Sequence, residues 1–530
     1  MGSGHVLVYA FDVFMQLYVA EGFRERDAAE STKNVKLHLH QFIDSDDIPN
    51  EYFERLEEIS SLPSDEFIEK SNLLKLVLDM FLHATELGSV LNIQNISQSE
   101  IDELRQLTGA FEDFSNMDIL YQLPEAHEKV NHILNIVEVL SFRYTAVVTN
   151  PPYLNKMSAV LSKYVKDNYP EVKTDLFSVF IKMNSQMLTD GGYAGFMTPF
   201  VWMFIKSYEE LRDFLIANKN ISSLVQMEYS AFEEATVPVC CFTIKNAKSE
   251  PIGNYFKLSD FRGGMNVQKE KVLEGIRNPN VNYLFQTNQN NFTKIPGSPI
   301  SFWVSENIFS VFFKGQPLGE LLDIKRGMTT SNNNRFLRYW AEVNQIDIVY
   351  NAKNQKEASE SKAKWFPYSK GGGYRKWYGF NEYLIDWENG GENVINFAKT
   401  INKSYTRTIV NIPYYFKPSI GFSYITSGPF SMRWIPRGYI YDSGGPGMFG
   451  DEEFRKEIIG LMNSKPAQKI LKILSPTINL QIADIVRMPY LTDNLRMSKI
   501  KNLVESNISM CAEDWDSSET SWDFKKHSLI

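Results

Sequence analysis

The chain is 530 residues long, 43% hydrophobic, 13% aromatic and 22% charged, which excludes a disordered or fibrous protein and is too long for one hydrophobic core. Its three cysteines, the adjacent Cys240 and Cys241 and the distant Cys511, give neither a disulfide framework nor a zinc spacing, so a reducing, cytoplasmic location is expected. The net charge of −9 conceals a segregation: between Pro251 and Gly450, 24 Lys and Arg face 15 Asp and Glu, net +9, which leaves −18 on the other 330 residues. A basic middle suits neutralisation of nucleic-acid phosphates, and an uneven solvated surface reads the same way.

The apolar stretch 6–18 carries Asp12, lacks a basic leader and is too short to cross a bilayer, so neither a signal peptide nor a membrane helix is expected. From about Glu25 to Leu140 apolar residues recur at helical spacing, as in 71–83, and strand signals are few, which predicts a helical insertion over 25–140. The period then changes. Residues 144–149, Tyr-Thr-Ala-Val-Val-Thr, form a β-branched run that stops at Asn150-Pro151-Pro152-Tyr153, a sequence that cannot continue a strand. Beyond it the pattern predicts a helix at 176–187, a Gly191-Gly192 turn, a strand at 193–199, a helix near 207–217, and strands at 223–227 and 237–245. Such alternation predicts an α/β fold with a mostly parallel sheet covered by helices and a site at the carboxyl ends of its strands. Short aromatic segments broken by Gly, Pro and Asn begin near Ser249, and helical spacing returns at about Glu452. The expected division is one domain over 1–250, a second, mixed α/β, over 251–480, and a helical or linker region over 481–530.

The segment that carries chemistry is Asn150-Pro151-Pro152-Tyr153, directly after a hydrophobic strand. The amino group of an aromatic base is a poor nucleophile because its lone pair is delocalised into the ring. An Asn side-chain oxygen and the carbonyl of the next Pro can accept both amino hydrogens and draw the nitrogen toward a tetrahedral geometry that attacks a sulfonium methyl group in line. Pro151 and Pro152 stiffen the loop. Tyr153 would stack on the base once it is flipped out of a duplex. The chemistry asks for no metal; the alternative for these four residues is a rigid turn. At the start of the chain, Gly2-Ser3-Gly4-His5 offers small residues that let backbone approach a nucleoside, and is equally what a cloning scar would leave.

Together these residues resemble the adenine-N6 DNA methyltransferases of bacterial BREX phage-defence systems, the PglX-like proteins, which are similar to type IIG restriction-modification enzymes. The resemblance rests on residues 2–12 (Gly-Ser-Gly-His-Val-Leu-Val-Tyr-Ala-Phe-Asp), 148–153 (Val-Thr-Asn-Pro-Pro-Tyr), 173–180 (Lys-Thr-Asp-Leu-Phe-Ser-Val-Phe) and 191–199 (Gly-Gly-Tyr-Ala-Gly-Phe-Met-Thr-Pro), and continues through 325–338 and 364–378. It implies a Rossmann-like methyltransferase domain with an incomplete sheet, S-adenosyl-L-methionine as cofactor, double-stranded DNA as substrate, other BREX proteins as partners and no membrane. It also implies that Gly2, Ser3, Gly4 and His5 line the cofactor, that Asn150 and Pro151 hold the adenine amino group, and that Tyr153 stacks on its ring. Phe232 falls where related enzymes place a second aromatic, or is a core residue before a strand. Asp175 either contacts the cofactor or caps the following helix.

The resemblance also marks departures. The chain begins at the glycine loop itself, and neither the strand before it, nor an acidic strand end for the ribose hydroxyls, nor the family's long helical C-terminal region can be found. The expectation is an N- and C-terminally truncated form that alone binds the cofactor poorly. In the basic middle, Lys325, Arg326, Arg335 and Arg338 interleave with Asn and Ser, and Lys370, Arg375 and Lys376 flank three glycines, so these are the candidate DNA contacts, with Arg433 and Arg437 beyond them. The nearby Trp365, Tyr374, Trp377 and Tyr378 are available for stacking, or form the small domain's core. Two other functions fit the motif: a methyltransferase acting on RNA or on a protein glutamine, and an inactive fragment that binds DNA or a defence partner.

Overall fold

The structure, a computed structural model, describes residues 22, 24, 27, 40–93, 95–111, 114–229, 231, 237–248, 252–424, 428–475, 480–491 and 497–527. The chain divides into two compact units, Met1–Arg143 with Ala159–Leu161, and Tyr144–Ser158 with Ser162–Ile530.

The first unit is helical in its described residues. Its longer helices are α1 (Asn50–Ile59), α2 (Ser64–Met80), α3 (Gln98–Thr108) and α4 (Leu123–Ser141). α3 and α4 start where the sequence offers a start signal. Ser97 and Glu100 close a reciprocal capping box at α3, and Pro124 occupies the first turn of α4, where its missing N–H costs nothing. Apolar residues at i, i+3 and i+4, such as Val130, Ile133, Leu134 and Val137, are fully buried. The Arg105 guanidinium reaches Glu138 at 2.5 Å and joins α3 to α4.

The second unit opens with a sheet that, among the described residues, has six strands: β1 (Tyr144–Thr149), β2 (Leu188–Pro199), β3 (Asn220–Gln226), β4 (Val239–Lys245), β5 (Ile252–Lys257) and β6 (Leu284–Asn288). Their order is β1-β2-β4-β3-β5-β6. β1 pairs parallel to β2 and β3 parallel to β5, whereas β4 runs antiparallel to both its neighbours and β6 antiparallel to β5. Four strands therefore point one way, and the fold class is the α/β one read from the sequence. Helices α5 (Leu176–Gln186), α6 (Glu209–Asn218) and α7 (Gly264–Arg277) lie between strands in the chain.

Two details differ from the sequence reading. Gly191 and Gly192 lie inside β2 rather than in a turn before it. Gly191 takes a φ of 74°, and the pairing of β1 with β2 shifts register between Tyr144 and Ala146, so the glycines make a bulge that lets the strand continue. The sheet also runs on through β5 and β6 to Asn288, past the boundary read near Ser249. The aromatic segments that suggested a new domain pack against it: Tyr255 of β5 stacks on Phe302 at 5.1 Å and meets Phe292 edge-on at 5.7 Å.

Beyond Asn288 the strands are short: β7 (Gln316–Pro317), β8 (Asp323–Lys325), β9 (Leu337–Tyr339), β10 (Trp365–Ser369), β11 (Tyr383–Asp386), β12 (Ser419–Phe422), β13 (Met432–Ile435), β14 (Ile440–Tyr441), β15 (Gly447–Phe449) and β16 (Pro489–Tyr490). They form sheets ordered β14-β10-β11-β9 and β13-β12-β15-β8, and a pair β16-β7. One core gathers Phe366, Tyr368, Trp387 and Tyr415 around the first of these sheets. Another joins Ile420, Phe422 and Met432 to α8 (Glu452–Met462) and α9 (Lys465–Leu474) through Ile458, Ile459 and Leu471. The chain then continues into α10 (Met497–Asp516). No helix among the described residues is long and apolar enough to cross a membrane.

Candidate active site

The carboxyl ends of β1, β2 and β3 share one edge of the sheet, because Thr149 is in register with Phe196, Pro199 with Val239, and Gln226 with Cys240. The loop Asn150-Pro151-Pro152-Tyr153 leaves β1 at this edge. Pro151 is buried, whereas Asn150 and Pro152 are exposed and Tyr153 is 40% exposed. The strand is extended up to Thr149, and two prolines then deny the ladder its donors, so Asn150 projects from the last position the sheet supports.

Two attachments hold the far side of the loop. The Tyr153 hydroxyl donates to the Met197 carbonyl at 3.4 Å, and its ring meets Phe177 edge-on at 6.3 Å. Burial, followed by the nearby Cys240 and Cys241 thiols, pushes the Tyr153 phenol up to about 12. Asp175 is the second attachment. It caps α5: its Oδ1 accepts from Phe177 N–H at 3.3 Å, and the same oxygen accepts from Leu154 N–H at 2.9 Å. In return, Leu176 N–H donates to the Leu154 carbonyl at 3.1 Å. Burial raises the Asp175 carboxyl above the usual range, while these backbone donors pull it back down.

Behind the edge, Phe177 packs against Tyr208 at 5.5 Å. The Trp202 indole donates to Thr198 Oγ1 at 3.2 Å, and the fully buried Arg212 donates to the carbonyls of Trp202, Ile205 and Gly297. These bonds fix the turn that follows β2. At the end of β3, Glu228 accepts from Gly263 N–H and Gly264 N–H at 3.1 and 2.6 Å, which anchors the start of α7. Gly2, Ser3, Gly4, His5 and Phe232 lie outside the described residues. Phe232's neighbour Ala231 is buried with Met227 and Val239 against Met197.

The basic residues of the middle segment separate into two groups. Arg326 and Lys370 line one cavity of about 670 Å³ with Gly371, Gly372, Tyr424, Gly444 and Gln481. Lys370 also borders a second, of about 340 Å³, with Asn333, Asn334, Arg338, Tyr339 and Tyr383. Arg335 is exposed, stacked over Phe336 and Phe397. Lys325 pairs with Asp323 at 2.9 Å and lies over Tyr414, and Arg437 is exposed.

Arg375, Lys376 and Arg433 turn inward. Arg433 is only 4% exposed, donates to Ser423 Oγ at 3.1 Å, and lies over Phe380; burial lowers its guanidinium to about 10. This corrects its reading as a DNA contact, because β13 is buried nearly throughout and its Arg lies in the interior with oxygen partners. Arg375 is committed to Asp514, to the Tyr378 carbonyl and to the Trp515 ring, and Lys376 to the Asn463 carbonyl at 2.7 Å. Trp377 packs on the core around α8, whereas Tyr374 is exposed.

Sequence reasoning missed the pair Tyr339 and Tyr383, whose hydroxyls are 2.9 Å apart and whose rings are 4.7 Å apart at the second cavity. It also missed Gln481 at the first. Nothing in the local pattern joins such distant positions.

The model of the Eco57I restriction-modification methylase family matches residues 35–232. The chain is 31% identical over 577 aligned residues to the adenine-specific methyltransferase PglX of Lacticaseibacillus casei (strain Zhang), and 28% identical over 596 to the adenine-specific methyltransferase BrxX of Escherichia coli O9:H4 (strain HS). Both alignments cover all of this chain and 46% of the relative, so the chain spans about half the length of these proteins. Among solved structures, the type IIL restriction-modification enzyme MmeI in complex with DNA is similar with a TM-score of 0.49 and 11% identity, over 94% of this chain and 77% of that one.

Proposed function

We propose that this chain, a relative along its whole length of the PglX-like adenine-specific methyltransferases, transfers a methyl group from S-adenosyl-L-methionine to N6 of adenine in DNA, as part of a bacterial defence system. The observation that carries the reading is Asn150, exposed at the carboxyl end of β1, with Pro151 buried beside it and the half-exposed Tyr153 ring tethered to Met197 and Phe177.

In this reading Asn150 Oδ1 and the Pro151 carbonyl accept the two hydrogens of the adenine amino group, which localises its lone pair. Pro152 stiffens the loop, and Tyr153 stacks on the extruded base. Bound S-adenosyl-L-methionine supplies an electrophilic methyl group. The exposed Asn beside an accessible aromatic face fits an amino acceptor; Asp175, read from the sequence as either a cofactor contact or a helix cap, has one oxygen taken by two backbone N–H groups. The sheet through β6 carries methyl transfer, and the segment up to about Leu480 reads the DNA, with Lys325, Arg326, Arg335, Arg338 and Lys370 as its phosphate and base contacts. Other proteins of the same defence system are its partners.

Sequencing of methylated adenines in cells that express the full-length gene tests the proposal. Methylation of one recurring adenine-containing site, lost in Asn150→Ala, is the expected result. Methylation only at cytosine, or of RNA or protein in place of DNA, would overturn it.

A further inference from the structure

We propose that Asp175 is the positioning residue of the Asn150–Tyr153 loop and does not bind the cofactor; the inference rests on the methyltransferase reading above. Oδ1 of Asp175 is shared by two backbone donors from separate parts of the chain, Leu154 N–H at 2.9 Å and Phe177 N–H at 3.3 Å. The first lies immediately after Tyr153. The second lies in the first turn of α5, on the backbone of Phe177, whose buried side chain meets the Tyr153 ring edge-on. Leu176 N–H returns a bond to the Leu154 carbonyl at 3.1 Å, so the exit of the loop is joined to the start of the helix in both directions.

Further bonds hold the carboxylate's own backbone: Ser178 Oγ donates to the carbonyls of Asp175 and Val172 at 2.6 and 2.7 Å. Asp175 is 8% exposed. A cap needs one N–H of its own helix. Here the cap also receives the amide one residue beyond the aromatic that would stack on the base. The opposite end of the loop is set by the pairing of β1 with β2, and the Tyr153 hydroxyl adds a third point at the Met197 carbonyl. A loop fixed at its entry, ring and exit aims Asn150 without any group on Asn150 itself. Aim matters steeply, because a displacement of about 1 Å at a reacting centre can cost on the order of 100-fold in rate.

Two substitutions in the full-length protein separate geometry from charge. Asp175→Asn keeps an oxygen acceptor in place and removes the charge. Asp175→Glu keeps the charge and moves the acceptor outward by a methylene. For each, kcat and the Kd for S-adenosyl-L-methionine are measured, together with hydrogen exchange of a peptide covering 150–157. The expected result is that Asp175→Asn stays within about fivefold of the parent kcat, whereas Asp175→Glu falls by about 10–100-fold with the Kd little changed and with faster exchange in that peptide. A raised Kd with unchanged kcat in Asp175→Asn would make Asp175 a cofactor ligand and overturn the inference. Unaltered exchange and unaltered kcat in Asp175→Glu would overturn it too. If the parent methylates no DNA, the methyltransferase reading fails, while exchange in 150–157 still decides whether Asp175 holds the loop.

Discussion

Tyr153 and Met197 come from neighbouring strand ends, and the hydroxyl of the first donates to the main-chain carbonyl of the second at 3.4 Å. The bond is long, so its contribution is small, and the ring is what the loop presents. Tyr153→Phe should therefore keep DNA methylation within about threefold, a change of about 0.7 kcal/mol, whereas Tyr153→Ala should lose more than the hydroxyl does because stacking goes with the ring. Initial rates of the two variants on one DNA substrate check this.

The same residue makes a prediction about pH. Its phenol is pushed up from about 10 to about 12 by burial. A group whose folded pKa is raised contributes stability in full below its unfolded pKa and loses it as pH rises through the folded value. The parent should therefore lose stability relative to Tyr153→Phe between about pH 10 and 12, and show no Tyr153 titration in the rate profile below pH 9. Melts across that range measure it.

Asn150 is exposed among the described residues. Asn150→Ala should leave the melting temperature unchanged while lowering kcat by on the order of 100-fold or more, since one hydrogen-bonding group aimed at the reacting centre carries about that much. A large loss of stability in this variant would instead make the loop a structural turn.

Arg326 and Arg433 should behave in opposite ways. Arg326 is exposed at a cavity, so Arg326→Ala should leave stability within about 0.5 kcal/mol and lower the salt slope of DNA binding by about one unit. Arg433→Ala empties a buried site and removes the donors to Ser423 Oγ and the Arg375 carbonyl, at a cost of about 2–4 kcal/mol, with the salt slope unaltered. Chemical denaturation and binding titrations at several salt concentrations separate the two.

Gly371 faces Gly444 so closely that a Cβ would lie 2.2 Å from the Gly444 carbonyl oxygen. Gly371→Ala must push two loops apart at the mouth of the 670 Å³ cavity, and should lower stability by about 1–3 kcal/mol. Gly373→Ala, where the nearest atom is 3.9 Å away, is the matched control and should have little effect.

How much was legible in the sequence differs from place to place. β1 and its loop were plain, because a β-branched run that meets two prolines can do little but end. The strand and helix sequence from Leu176 to Lys245 was also readable, since periods of two and of about four alternate there, except at Gly191-Gly192, where a bulge inside β2 reads as a turn. β5 and β6 were hidden by composition. Their aromatic residues pack on rings from later loops, so the segment looks like the start of something new while it finishes an existing sheet. Arg433 was misread for a related reason. A cation in a short apolar strand suggests a surface, but β13 is buried nearly throughout, and a guanidinium with oxygen partners and an aromatic face can be interior. The double use of Asp175 could not be read at all, since Leu154 lies 21 residues away and only the folded loop brings its amide to the carboxylate.

The position of β4 bears on when the protein becomes competent during its synthesis. It is the last of the first four strands to be made, yet it lies between β2 and β3 and pairs with both. Until about residue 245 has left the ribosome, Met197 has no antiparallel partner at Cys241 and β3 has no bridge to β2. A nascent chain can thus carry Asn150 and Tyr153 before the strand beside Met197 is paired on both sides. Insertion of a central strand between two earlier ones depends on contacts distant in sequence, which form slowly. β4 is therefore the strand that completes the sheet edge from which the loop projects.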